Sequence, residues 1–229
     1  MIPESLKPKD AILREVGNIL FITKWNWSYL DCLGYQKRAQ TFIQNNRSYK
    51  IYIFTNHPHC FTLGRGNERN TEEELIEFNQ ELINSLKFPV HKIHRGGGIT
   101  FHYPGQWIFY PIISISPSYT LDDHMCWLLK SVKHNLQDNF QIKDVLSAKK
   151  LMGVWYQKKK IASIGIGLNR FVTEHGIAVN LISDQEMSDE LSKISPCGMD
   201  YQTYISLDSI TKRQEILLDF HKGFLNSML

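Results

Sequence analysis

Residues 153–182, GVWYQKKKIASIGIGLNRFVTEHGIAVNLI, decide the fold. The runs Gly153–Tyr156 and Ile161–Leu168 are rich in β-branched and aromatic residues and flank a turn-like Gln157–Lys160, the pattern of a hairpin. Gly176–Ile182 continues the meander as a third strand. Working outward, Asn18–Thr23, Tyr49–Thr55, Val90–Ile93 and Trp107–Ile115 read as strands for the same reason. Helices are marked by apolar stripes. Thr120 caps a segment in which Leu121, Met125, Leu129, Val132 and Leu136 recur at spacings of four and three. Thr211 to Gln214 reads as a capping box ahead of Ile216, Leu217, Phe220 and Phe224. Further helices are expected over Asp31–Gln44 and Thr71–Leu82. Antiparallel-looking strand pairs interrupted by helices argue for an α+β fold rather than a regular βαβ series. No repeat or Pro/Gly/Ser linker divides the chain, so residues 1–229 are expected to form a single domain.

Composition narrows the function. The 229 residues are 42% hydrophobic and 21% charged, which excludes a wholly disordered chain or a fibrous repeat. Lys+Arg 26 against Asp+Glu 23 leaves +3, far from a dedicated nucleic-acid binder but compatible with an acidic partner. No apolar run approaches the ~18–20 residues needed to cross a bilayer. The N-terminus mixes Glu4, Lys7, Lys9, Asp10 and Arg14 and lacks the apolar centre of a secretory signal. Cys32, Cys60, Cys126 and Cys197 lie far apart, which fits free thiols in a reducing compartment. A cytoplasmic location is expected, with no membrane and no nucleic-acid partner.

Three stretches carry chemistry. In His94-Arg95-Gly96-Gly97-Gly98-Ile99-Thr100-Phe101-His102-Tyr103-Pro104-Gly105-Gln106, three glycines remove side chains where the backbone bends or a ligand lies against it. A glycine triplet is more often a tight turn; the polar density of Arg95, Thr100, His102 and Gln106 favours a binding loop. Neither G-x-x-x-x-G-K-[ST] nor G-x-G-x-x-G is present. Lys158 and Lys159 read as a solvated hairpin tip, whereas Lys160 enters an apolar strand, where a lysine can serve as a base. Cys197 lies between Pro196 and Gly198 in a polar turn that presents its thiol, while Cys32 and Cys126 read as small buried hydrophobes. A thiolate beside a lysine or histidine is the minimal apparatus for acyl transfer, and His102 and His175 are the histidine candidates. His57-Pro58-His59-Cys60 lacks further ligands at suitable spacing, so no metal is expected.

These blocks resemble the octanoyltransferase family of lipoate biosynthesis, the lipoyl(octanoyl) transferases. They stand in the family's order: His57-Pro58 through Thr62-Leu63-Gly64-Arg65-Gly66; Arg95 to His102 with Pro104-Gly105-Gln106; Gly153-Val154-Trp155; Lys160-Ile-Ala-Ser-Ile-Gly165; His175-Gly-Ile-Ala-Val-Asn180; and Pro196-Cys197-Gly198. The resemblance implies a biotin/lipoate protein-ligase-like domain with a mixed, largely antiparallel sheet flanked by helices. It implies an octanoyl group taken from octanoyl acyl carrier protein onto Cys197. The acceptor lysine of a lipoyl domain of the 2-oxo acid dehydrogenases, or of glycine-cleavage H protein, then receives it. Lys160 matches the family's catalytic lysine. The same mapping puts Arg95, Gly96, Gly97, Gly98, Ile99, Thr100, Phe101, His102, Ser163, Ile164, Gly165, Gly176, Ile177 and Ala178 around the acyl chain. A thioester is already activated, so no cofactor is expected. Tyr103 stands where the family usually has glycine, and Asn56 where an acidic residue is common. Rival readings are an ATP-dependent lipoate–protein ligase, octanoyl transfer between lipoyl domains, and a non-catalytic carrier-binding module.

Overall fold

In the computed structural model, which describes residues 2–65, 80–148, 151–194 and 201–228, eleven strands are set in two sheets. The strands are β1 Ile12–Val16, β2 Ile19–Lys24, β3 Lys50–Thr55, β4 Cys60–Leu63, β5 Val90–Lys92, β6 Ile99–His102, β7 Gln106–Ile112, β8 Val145–Ala148, β9 Gly153–Tyr156, β10 Lys159–Asn169 and β11 Val172–Asn180. Five helices accompany them: α1 Tyr29–Asn45, α2 Gln80–Ser85, α3 Leu121–Phe140, α4 Gln185–Leu191 and α5 Ile216–Asn226. The larger sheet has the order β1-β2-β3-β7-β11-β10-β9-β8, and the smaller has β5-β4-β6.

Only β2–β3 in the large sheet and β4–β5 in the small one are parallel; every other pairing is antiparallel. The β2–β3 pair needs a crossover, and α1 supplies it. Its buried residues Cys32, Tyr35, Gln36, Ala39, Gln40 and Ile43 follow helical spacing and meet Leu20, Ile22, Ile51, Ile53 and Ile112 of the sheet. Along β3 the alternate residues Tyr52 and Phe54 face the other way, onto α3 and α5. There Phe54, Trp107, Phe109, Phe220 and Phe224 form a connected set of rings. A sheet covered on both faces explains why β7 and β11 are buried at every position. The small sheet has its own core, in which Phe61, Ile99, Phe101 and Tyr103 pack with Met187 and Leu191 of α4.

The expected α+β class and the meander are found, with shifted edges. The turn after β9 is confined to Gln157 and Lys158, both at positive φ, so Lys159 and Lys160 already belong to β10. The expected helix at 31–44 runs from Tyr29 to Asn45. Of the expected Thr71–Leu82 helix, residues 71–79 lie outside the described residues. The capping box at Thr211 is not formed: α5 starts at Ile216, and its cap Glu215 makes no side-chain bond. Strands β1, β4, β6 and β8 and helix α4 were not expected. No helix among the described residues is long and apolar enough to cross a membrane.

Candidate active site

Lys160 is 2% exposed, an unusual position for an ammonium-bearing side chain, and three features place it there. The register between β9 and β10 shifts between Lys160 and Ala162, a bulge that re-aims the side chain beside it. Its carbonyl accepts from the Ile205 amide at 3.1 Å, which fixes the backbone. Its stem crosses Gly153, where a Cβ would come within 2.5 Å of Lys160 Cε. The ammonium lies 5.6 Å from the centroid of the Trp155 ring. Gly153 and Trp155 thus shape the channel through which this lysine reaches inward.

The glycine loop lies between β5 and β6. Gly97 has φ +83°, a conformation glycine adopts without strain. The loop is stitched to its neighbours: Gly64 N–H donates to Gly98 O at 3.2 Å, and Gly96 N–H donates to Ile166 O at 3.1 Å. Gly96 N–H is therefore engaged within the fold. Arg95 turns back beneath the loop, and its Nη2 donates to Thr100 Oγ1 at 2.7 Å, Thr62 Oγ1 at 2.8 Å and Thr62 O at 3.0 Å. The side chain fills the space over Gly165, where a Cβ would meet Arg95 Cδ at 3.0 Å. Arg95 thus ties the loop to β4, β6 and β10.

From Thr62 a buried chain of hydrogen bonds continues. Its hydroxyl donates to His102 Nε2 at 3.3 Å, His102 Nδ1–H donates to Gln106 Oε1 at 2.7 Å, and Gln106 Nε2 donates to Asn180 Oδ1 at 3.1 Å. Burial holds the His102 pKa well below the usual histidine range, with the neighbouring His57 adding to the effect. Both ring nitrogens are committed, so this residue suits a structural role better than proton transfer. His175 differs. Burial pushes its pKa down to about 3, and its Nε2 has no hydrogen-bond partner among the described residues. Tyr29 OH is likewise unpartnered, and both residues line the cavity described next. His57 bonds to Trp27 O and Tyr110 OH, and His59 pairs with Asp184 instead. Cys32 and Cys60 are buried, while Cys126 is only half-buried, less enclosed than expected.

These elements enclose a cavity of about 280 Å3, near the lower end of small-ligand sites at ~300–1,000 Å3. It is lined by Lys160, Arg95, Gly97, Ile99, Thr100, Phe101, His102, Ser163, Ile164, Gly165, Gly176, Ile177 and Ala178, all expected from the sequence. Gly96 and Gly98 belong to the loop but do not line it. Cys197 lies outside the described residues, as does the rest of 195–200. Sequence reasoning missed Tyr29, Tyr110, Met187, Leu191 and Tyr204. Tyr110 carried a signal: Gln106 and Tyr110 share one face of β7 by period-2 alternation.

The model of the lipoyl protein ligase A/B catalytic domain family matches residues 28–226. The octanoyltransferase of Prochlorococcus marinus (strain NATL2A) is 31% identical over 203 residues, which cover 87% of this chain and 77% of that protein. The chain belongs to the octanoyltransferase family. The octanoyltransferase of Orientia tsutsugamushi (strain Ikeda) is 30% identical over 203 residues, covering 86% of this chain and 90% of that protein. Membership makes the protein an acyltransferase. Solved structures at lower identity share the fold. P. falciparum LipL1 in complex with lipoate superposes at TM-score 0.68 and 12% identity over 92% of this chain, which spans 61% of that one. Lipoate-protein ligase A bound with ATP gives TM-score 0.62 at 14% identity, covering 93% of this chain and 85% of that one. The lipoate-ligase architecture expected of an octanoyltransferase is thus the one observed.

Proposed function

We propose that residues 1–229 form one catalytic domain that moves an octanoyl group from octanoyl acyl carrier protein to the acceptor lysine of a lipoyl domain or glycine-cleavage H protein. Cys197 is the nucleophile. Lys160 takes the proton of the Cys197 thiol, the thiolate attacks the thioester carbonyl, the bond to the carrier sulfur breaks, and Lys160 returns that proton to the departing carrier thiol, which leaves the lysine neutral. The acceptor amine then attacks the cysteinyl thioester; an amide forms, the Cys197 sulfur is released, and the amine's proton passes to Lys160. The catalytic residues in this reading are Cys197 and Lys160. The cavity walls of Ile99, Phe101, Ile164, Ile177 and Ala178 hold the alkyl chain.

The observation that carries this reading is a lysine at 2% exposure, inside a small, mainly apolar cavity in a member of this family. Cys197 falls in the sequence between Leu191 and Tyr204, both of which line that cavity. Lys160 is favoured over His102 because neither imidazole nitrogen of His102 is available. The test is intact mass after mixing with octanoyl acyl carrier protein without ATP. Wild type is expected to gain one octanoyl group, removable by hydroxylamine, and Cys197→Ala none. Lys160→Met, which keeps the stem, should slow adduct formation by roughly 10²–10⁴-fold. An adduct retained on Cys197→Ala overturns the nucleophile, and wild-type speed in Lys160→Met moves the proton to His175.

A further inference from the structure

A second, more open cavity of about 240 Å3 abuts the first and is lined by Lys159, Met187, Ser188, Leu191, Gln202 and Tyr204. Met187, Leu191 and Tyr204 line both spaces, so the two share a wall. Lys159 and Lys160 are consecutive in β10, and successive strand residues point to opposite faces. Lys160 accordingly lines the inner space and Lys159, exposed, the outer one. Tyr204, between them, is paired with Lys160 through a parallel bridge.

We propose that the outer cavity binds the phosphorylated thiol arm of the acyl donor, with Lys159 on its phosphate. The inference rests on the proposed thioester donor. Such a donor has two halves joined at sulfur. When the acyl half occupies the inner cavity with its carbonyl at Lys160, the thiol half has to leave past the shared wall. The carrier arm is a 4′-phosphopantetheine: a thiol, two amides and, at the far end, the phosphate that joins it to the carrier. Met187 and Leu191 offer apolar surface to its methylenes, and Ser188 and Gln202 offer polar groups to its amides. Lys159 supplies a compact positive charge of the kind that binds phosphate as a point contact. Two of the three carboxylates on the adjoining α4 are offset by ion pairs, Glu186 with Lys87 and Glu190 with Lys193, and the third, Asp189, accepts from Gln185 and keeps its charge.

The experiment compares octanoyl-4′-phosphopantetheine with octanoyl-pantetheine, which lacks only the phosphate. Wild type should favour the phosphorylated donor in kcat/KM. Lys159→Ala should cut that advantage about ten-fold, through KM, and Lys159→Glu should cut it further. Lys159→Arg should keep most of it, and Lys158→Ala, at the hairpin tip, all of it. An advantage that survives in Lys159→Ala overturns the proposal, as does one lost equally in Lys158→Ala. Binding of unacylated 4′-phosphopantetheine and pantetheine, followed by NMR titration of wild type and Lys159→Ala, gives the same comparison without turnover. A wild type that binds the phosphorylated arm through Lys159 yet transfers no octanoyl group refutes the proposed reaction while leaving this site standing.

Discussion

At Gly153 the missing side chain is explained by another residue: Lys160 passes where its Cβ would be. A methyl group there would also meet the Ala162 carbonyl, which is backbone and cannot swing aside. Gly153→Ala should therefore displace the lysine stem and cost ~1–3 kcal/mol of stability, as overpacking does. Octanoyl transfer should fall more than the loss of folded protein accounts for; full activity per folded molecule would show that the channel does not position Lys160. Tyr103 is 1% exposed, lines the cavity, and has its hydroxyl 3.5 Å from Ser206 Oγ. Shortening it to Ala should cost ~3–5 kcal/mol. It should also raise transfer of decanoyl relative to octanoyl in a competition assay run below the lowered melting point. An unchanged ratio removes Tyr103 from chain-length selection. The residue-scale reading from the sequence worked best where chemistry set a residue apart, as with a lysine in an apolar strand. Arg95 lines the cavity as expected, but its bonds to Thr62 and Thr100 were not legible, because nothing in a linear pattern separates a cation that faces a ligand from one that also braces a loop.

Two threonines separate a cap signal that is used from one that is not. Thr120 Oγ1 accepts from Asp123 N–H at 3.2 Å while Asp123 Oδ2 accepts from Thr120 N–H at 2.9 Å, a reciprocal box at the start of α3. Thr211 has the same sequence signature but stands before an irregular stretch that ends only at Ile216. Thr120→Ala should thus lower stability by about 1 kcal/mol, and Thr211→Ala by less than ~0.5 kcal/mol, read as urea midpoints at constant m. Equal losses would mean that α5 extends back to Thr211 in solution. The elements legible in the sequence were α1 and α3, by helical stripes, and strands such as β7 and the β9–β11 meander, by their β-rich runs. Those missed are short, from four to seven residues. All five residues of β1 are exposed and all four of β4 are buried, so neither alternates. The turns at Gln157-Lys158 and Arg170-Phe171 take positive φ without glycine or asparagine, so the residues that mark hairpins were absent and the edges of β10 and β11 were misplaced.

On the scale of the whole molecule, the family blocks sit far apart in sequence, and the sheets bring most of them around one cavity; this convergence was legible only through the resemblance, since spacing along the chain says nothing of pairing across it. The same packing buries an unusual number of imidazoles. Burial lowers the pKa of His57, His124 and His221 to about 4, that of His175 to about 3, and that of His102 well below its ordinary value. At His221 the hydrogen bonding also requires the neutral ring, because Nδ1 accepts from Trp107 Nε1–H at 3.3 Å, which protonation would prevent. The unfolded chain titrates these groups near ~6.5. Above that pH both states are neutral and the histidines add no pH dependence. As pH falls from about 6.5 toward 4, the unfolded state binds protons that the folded state refuses, so stability declines, by up to ~1.4 kcal/mol per pH unit for each histidine. Glu174, whose pKa burial raises above its ordinary 4.5, opposes this trend because acid relieves its buried charge, but it is one group against five. The melting temperature is therefore expected to be level between about pH 7 and 8 and to drop steeply between pH 6.5 and 4.5. His221→Gln should flatten that drop by one group's share. A melting temperature constant from pH 7 to pH 5 would mean that the imidazoles already take up protons in the folded state, and that the buried network joining Arg95, Thr62, His102 and Gln106 does not hold His102 neutral.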